Sequence, residues 1–253
     1  MKLTLLGSGA VDAVPVFGCD CSACSLARGN RRHARRPCSA LLEAGETTVL
    51  LDAGRTDLAK ILGDRAPSAI LLTHYHVDHV QGLFELRWGR GASITVIGPD
   101  DPDGCADLHR HNGILDFSST TTAFETFRLG DVFITPLPLN HSRPCLGYLF
   151  EAHGCRMAYL TDTVGLPETT TARLLAGAAV DLLILDCTEP PGDTPPRNHN
   201  SLTEALAIHR RLGAPPTVLT HIGHDLDGWL GDHPDQYPEG DIRIGRDWDC
   251  FTM

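Results

Sequence analysis

Between Thr73 and Val80 the chain reads THYHVDHV, which crowds His74, His76, Asp78 and His79 into six residues. Imidazoles and a carboxylate packed this closely add little to folding and cost desolvation unless a cation balances them. The pattern therefore points to metal binding. His74 and His76 are one residue apart, so in an extended segment they face the same way and can chelate one ion. Asp78 and His79 lie beyond a turn, where they can serve a second ion. Three more strand-like runs end on a ligand type: PLPLNHS on His141, MAYLTDT on Asp162 and TVLTHIGH on His221. Together these residues exceed one tetrahedral site. They suit two ions with one shared carboxylate and an open position for water.

The elements that must carry these residues are legible as short apolar runs bounded by Gly, Pro or Asp. Strands are expected at Leu3–Leu6, Thr48–Leu51, Ala69–Leu72, Ile94–Ile97, Val132–Leu137, Leu146–Phe150, Met157–Leu160, Leu182–Leu185 and Val218–Leu219. Helical patterns fill Thr56–Leu62, Val80–Trp88, Pro167–Gly177 and Ser201–Leu212. The last opens with a Ser201…Glu204 capping box and stops at Gly213. Strands alternating with helices predict an α/β layered protein whose chemistry sits in loops at strand C-termini.

Composition narrows the function. The chain of 253 residues is 42% hydrophobic and carries a formal net charge of -11. That balance disfavours a nucleic-acid partner, which calls for a basic face, and favours a small charged substrate. No run approaches the roughly 20 apolar residues of a membrane helix, and the N-terminal apolar piece is too short for a secretion signal. A cytoplasmic location without membrane association is expected, with the nine cysteines reduced. Cys19, Cys21 and Cys24 form a C-x-C-x₂-C cluster that can wrap a tetrahedral ion. Cys38, Cys105, Cys145, Cys155, Cys187 and Cys250 are scattered and read mostly as small buried side chains. The run Arg28–Arg36 is the one basic cluster, read as a solvated loop or as a site for a substrate phosphate or other anion.

With these residues in view, THYHVDH resembles the HxHxDH motif of the metallo-β-lactamase superfamily, and His141, Asp162 and His221 follow in that superfamily's order. The resemblance implies a four-layer αββα sandwich spanning residues 1–253 as one domain, with a Cys-rich zinc loop at residues 17–38. The stretches VPVFGCDCSAC, RRPCSA, THYHVDHVQGLFELRWG, PLPLNHS, PPRNHN and LTHIGH are similar, as a set, to the phosphoribosyl 1,2-cyclic phosphate phosphodiesterases of the carbon–phosphorus lyase pathway. That likeness implies hydrolysis of 5-phospho-α-D-ribosyl 1,2-cyclic phosphate to ribose 1,5-bisphosphate, and a homodimer. It also implies that His74, His76 and His141 hold one ion, that Asp78, His79 and His221 hold the other, and that Asp162 bridges them. The ions are expected to be manganese, with zinc, nickel or iron as other occupants. His224 is implied as the fourth ligand that closes a structural Cys₃His zinc site with Cys19, Cys21 and Cys24.

In such a reaction water activated between the ions attacks phosphorus while Asp78 serves the catalytic centre as a ligand. The ribose 2-oxygen leaves well only if it is protonated. His199, in the Pro-rich loop PPRNHN, is the candidate acid. Asp52, at the end of LLD, is expected to orient a metal-binding histidine rather than to bind the ion, and Asp186 in LILDC is similarly placed. Other readings stay open: a 2′,3′-cyclic nucleotide or tRNA 3′-processing phosphodiesterase, a non-catalytic small-molecule-binding relative, or an iron-dependent redox member.

Overall fold

The computed structural model describes residues 1–193 and 196–253. The first half builds strands β1 (Lys2–Gly7), β2 (Ser39–Ala44), β3 (Thr47–Leu51), β4 (Ala69–Leu71), β5 (Ile94–Gly98) and β6 (Leu115–Thr120) in one sheet, in that spatial order. The second half builds β7 (Phe127–Leu129), β8 (Val132–Pro138), β9 (Leu146–Ala152), β10 (Cys155–Leu160), β11 (Leu182–Asp186), β12 (Thr217–Thr220) and β13 (Ile242–Ile244) in another. The last strand, β14 (Cys250–Thr252), crosses back to pair with β1. Each sheet opens with antiparallel pairs and continues in parallel from β3 to β6 and from β10 to β13.

The near-continuous apolar runs are explained by burial on both faces. Alternate residues of the two sheets, among them Leu5, Leu42, Val49, Leu51, Ile134, Tyr148, Phe150, Tyr159 and Ile184, meet in a core between them. The other face of the central strands is covered by helices. The helices are α1 (Ser22–Gly29), α2 (Leu58–Leu62), α3 (Val77–Val80), α4 (Leu83–Leu86), α5 (Ala106–Arg110), α6 (Glu168–Leu175), α7 (Leu202–Arg211) and α8 (His224–Asp232). Leu50, Ile70 and Val96 pack against Leu58, Val80 and Leu83 on one side. Leu183, Leu185 and Leu219 pack against Leu174, Leu202 and Leu226 on the other. The result is an αββα sandwich. Among the described residues no helix is long and apolar enough to cross a membrane.

Three expectations change. The helix read at Val80–Trp88 is two short ones, and it starts early enough that Asp78 and His79 lie on α3. Gly82 separates the pair because its backbone N donates to Ala53 O at 2.7 Å, and a Cβ there would stand 2.1 Å from Arg55 O. The basic run is not uniformly solvated. Arg35 is fully buried, with its Nε 2.8 Å from Asp227 Oδ1 on α8 and its Nη1 donating to Gly245 O at 2.6 Å and Ser8 Oγ at 3.1 Å. Of the six scattered cysteines only Cys38, Cys145 and Cys187 are buried.

Arg35 thus ties the N-terminal loop to α8 and to the segment before β14. Removing it would strand a largely buried carboxylate, a change that costs on the order of 3 kcal/mol or more. Arg35→Ala should lower the unfolding free energy by about that amount in a denaturant titration, and a loss under about 1 kcal/mol would show that the pair does not carry this junction.

Candidate metal centre

Six residues of the centre leave the sheets at one edge. Strands β3, β4, β8, β10, β11 and β12 end there and deliver Asp52, His74, His141, Asp162, Asp186 and His221. The turn out of the strand is sharp: Asp52, Asp162 and His221 adopt φ of 53°, 63° and 57°, in the left-handed region that non-glycine residues seldom use. Such conformations persist where surrounding structure over-determines them, and they concentrate at functional sites. The loop after β1 is fastened to the same edge, because Ile222 N donates to Ser8 O at 2.9 Å and Ala10 N to Ile222 O at 3.1 Å.

The side chains converge in two groups on one carboxylate. On one side His74 Nε2 is 2.9 Å from His76 Nδ1, which is 3.0 Å from His141 Nε2. Asp162 Oδ2 lies 3.6 Å from His74 Nε2 and 3.8 Å from His141 Nε2. On the other side Asp162 Oδ1 lies 3.2 Å from His79 Nε2 and 3.4 Å from His221 Nε2. Asp78 Oδ2 joins this second group at 3.6 Å from His79 Nε2 and 3.4 Å from His221 Nε2. His79 Nε2 and Asp162 Oδ1 are buried with no hydrogen-bond partner among the described residues. Buried polar atoms left without partners are costly, and a cation between them removes the cost. The donor set of imidazoles and carboxylates fits a divalent ion.

The outward ring nitrogens are held as well. His79 Nδ1 is 2.9 Å from Asp52 Oδ2, and His74 Nδ1 is 3.0 Å from Thr73 Oγ1. His221 Nδ1 is 2.9 Å from Thr188 Oγ1, and His141 Nδ1 is 3.1 Å from Asn198 O. Fixing the outer nitrogen fixes which inner nitrogen faces the ion. Asp52 therefore stands behind His79, outside the ligand group. Thr73 also donates to Asp52 from its hydroxyl (3.0 Å) and its backbone N (2.8 Å). Thr188 Oγ1 donates to Asp186 Oδ1 at 2.7 Å. The sequence reading missed both threonines. Their only signal was position, one beside a ligand histidine and one two residues beyond a strand-ending aspartate.

His199 reaches the same cleft from its loop; Pro195, the first residue of PPRNHN, lies outside the described residues. Its Nδ1 is 3.0 Å from Asp186 Oδ2 and its ring stacks on His221 with centroids 4.8 Å apart. His199, His76, Asp78, Asp162 and His221 share the lining of a cleft of about 430 Å³, along with Val11 and Val77. Among the described residues no lysine or arginine lines it.

The Cys-rich loop forms a separate cluster. Cys19 Sγ and Cys21 Sγ lie 3.4 Å and 3.2 Å from His224 Nε2, and the ligand atoms of Cys19, Cys21, Cys24 and His224 all fall within 4.8 Å of one another. Three sulfurs and one imidazole fit a closed tetrahedral zinc site. Helix α1 carries Cys24 and α8 opens at His224, so the cluster pins the N-terminal loop to the start of α8.

Electrostatics separates the two active-site groups. Burial, reinforced by the neighbouring imidazole of His79, pushes His74 well below the ordinary histidine value. Burial also lowers His76 and His141. Burial opposes charge on His79 and His221 too, but there the carboxylates win. Asp162, Asp52 and Asp78 raise His79, while Asp162 and the Asp78 hydrogen bond raise His221 to about 9.

A family model described as beta-lactamase superfamily domain matches residues 47–222. An octanoyltransferase of Porphyromonas gingivalis is 28% identical over 246 residues, covering 88% of this chain and 46% of that protein, so the chain spans about half the length of that relative. Coenzyme PQQ synthesis protein B of Methylorubrum extorquens is 29% identical over 226 residues, covering 74% of this chain and 73% of that protein. A solved structure described as a new diphosphatase from the PhnP family superposes with a TM-score of 0.82 at 27% identity, covering 99% of this chain and 96% of that one.

Two outcomes follow from this geometry. Parent protein should carry about three ions per chain by elemental analysis, Asp162→Ala about one, and Cys21→Ser about two; equal loss from both variants would contradict separate sites. A cation entering the Asp78 group must also displace protons from His79 and His221. Its affinity for apoprotein should therefore rise between about pH 6 and 9, with proton release seen by calorimetry in buffers of different ionisation enthalpy. A pH-independent affinity would contradict the charge arrangement.

Proposed function

Because the chain belongs to the beta-lactamase superfamily, we propose that it is a metal-dependent phosphodiesterase whose substrate is 5-phospho-α-D-ribosyl 1,2-cyclic phosphate, hydrolysed to ribose 1,5-bisphosphate. The observation that carries this reading is Asp162, with one carboxylate oxygen facing each ligand group. His74, His76 and His141 would hold one divalent ion, and Asp78, His79 and His221 the other, with manganese as the expected metal. Two such ions supply a hydroxide near neutral pH and stabilise charge on phosphoryl oxygens.

The chain's own residues set the rest. Asp78, at the mouth of the cleft, would accept a hydrogen bond from the attacking water and aim it at phosphorus. Asp186 accepts only, so the proton it shares with His199 sits on Nδ1 of that ring. The ring is held in register by this contact and by the stack on His221. With Nδ1–H kept on Asp186, His199 Nε2 would give its proton to the departing ribose 2-oxygen from the doubly protonated ring, which is left neutral as the oxygen departs as a hydroxyl. Val11 and Val77 offer apolar walls that limit water on the open side of the cleft. The 1,2-cyclic phosphate at the ligand groups would be the anchoring end, since among the described residues no lysine or arginine lines the cleft for the 5-phosphate.

The likeness to a PhnP-family diphosphatase favours a second reading, a linear diphosphate cleaved by the same residues. Assays on 5-phosphoribosyl 1,2-cyclic phosphate, a 2′,3′-cyclic nucleotide and a linear diphosphate ester should give the highest kcat/KM for the first. A higher value for the diphosphate would establish the second reading, and inertness toward all three with full metal content would end both. His199→Ala should lower kcat by about 10²-fold or more with metal content unchanged. Turnover at the parent rate would remove His199 from the proton transfer.

A further inference from the structure

The arginines around residue 32 are not accounted for by the metal centre. Arg31, Arg32 and Arg36 are exposed. With Arg55, Arg246 and Trp248 they line a groove of about 590 Å³ that shares no lining residue with the metal cleft. Asp57, Asp247 and Asp249 also line it, and each is already engaged. Arg55 donates to both oxygens of Asp57, at 2.7 Å and 2.6 Å. Asp247 accepts from Ser8 N and Oγ at 2.9 Å and 2.8 Å and from Arg36 N at 2.9 Å. Asp249 accepts from Arg246 N at 2.9 Å. The contacts to Arg36 and Arg246 use backbone nitrogen. The guanidinium groups of Arg31, Arg32, Arg36 and Arg246 have no hydrogen-bond or ion-pair partner among the described residues. In a chain of formal net charge -11, this is a local reversal of sign.

Trp248 adds an independent observation. It is 54% exposed and holds φ at 73°, a conformation that a bulky side chain seldom adopts. Its backbone N is fixed to Leu5 O at 2.6 Å, and the Arg55 guanidinium lies over its ring at 5.3 Å. The backbone is thus held against β1 while the indole stands exposed at the groove. Strained residues of this kind gather at ligand clamps.

We propose that the groove binds a nucleoside polyphosphate, with its phosphates on Arg31, Arg32, Arg36 and Arg246 and its base against Trp248. Guanidinium forks match pairs of phosphate oxygens, and several forks around one groove call for more than one phosphate. An exposed indole offers a stacking face to a base. Arg36, Arg55 and Asp57 also line the adjoining groove with Gly54, whose Cα packs against the Asp78 backbone.

Titration of metal-loaded protein with ADP, followed by tryptophan fluorescence and calorimetry, tests this. Saturable quenching is expected, absent in Trp248→Phe. In Arg31→Ala/Arg32→Ala/Arg36→Ala, affinity should fall roughly tenfold or more. Those three side chains are exposed, and circular dichroism checks that the triple variant is folded; because it keeps the metal cleft intact, ADP bound at the ions cancels between parent and variant. Unchanged affinity in the triple variant, quenching that survives Trp248→Phe, or no saturable response to ADP would overturn the proposal. Pyrophosphate binding as tightly as ADP would overturn the role of the base, and a single-stranded oligonucleotide binding more tightly would replace the ligand with RNA.

Discussion

One buried carboxylate sets the terms for the rest of the centre. Asp162 is almost completely out of water, with imidazoles of His74 and His141 toward one oxygen and of His79 and His221 toward the other. Burial by itself would push its proton on, yet the surrounding imidazoles hold it well below the usual carboxylate range. A lone anion at such depth is expensive to keep. Positive charge beside it is what makes it stable, either protons on His79 and His221 on one side or cations on both.

The fold supplies this setting through repetition. Both sheets end their parallel strands at one edge, and both use the same device behind the ligands. Asp52 and Thr73 brace His79 and His74 from the first sheet. Asp186 and Thr188 brace His199 and His221 from the second. Each aspartate takes a strand-end position and each threonine links it to a ligand histidine. The ligand set therefore moves only as the sheets move, which keeps the nitrogen atoms positioned without relying on loop stiffness. Gly54 serves the same end: a Cβ there would meet Asp78 O at 2.0 Å, so the loop after Asp52 can lie directly against α3.

The candidate residues were legible in the sequence because most of them follow apolar runs that only a buried strand explains. HxHxDH, His141, Asp162 and His221 stood at strand exits, and the distances above bring them together. What escaped reading was whatever lacked a hydrophobic signal. β2, with Ser39, Ala40 and Glu43, and the polar β6 carry weak strand patterns and are set by pairing with neighbours. Helices α1 and α8 show no clear apolar periodicity in the sequence, and they meet around the Cys19, Cys21, Cys24 and His224 cluster. Thr73 and Thr188 were invisible because a hydroxyl's partner is decided by tertiary approach. Arg35 read as part of a charged surface run, and only the buried Asp227 opposite it reverses that.

The account stands on two cations sharing Asp162. Anomalous diffraction from crystals of manganese-loaded protein, recorded at the manganese edge, measures this most directly. Two peaks about 3.5–4 Å apart are expected, one on each side of the Asp162 carboxylate. A single peak, or peaks that leave either Asp162 oxygen without a metal neighbour, would contradict it.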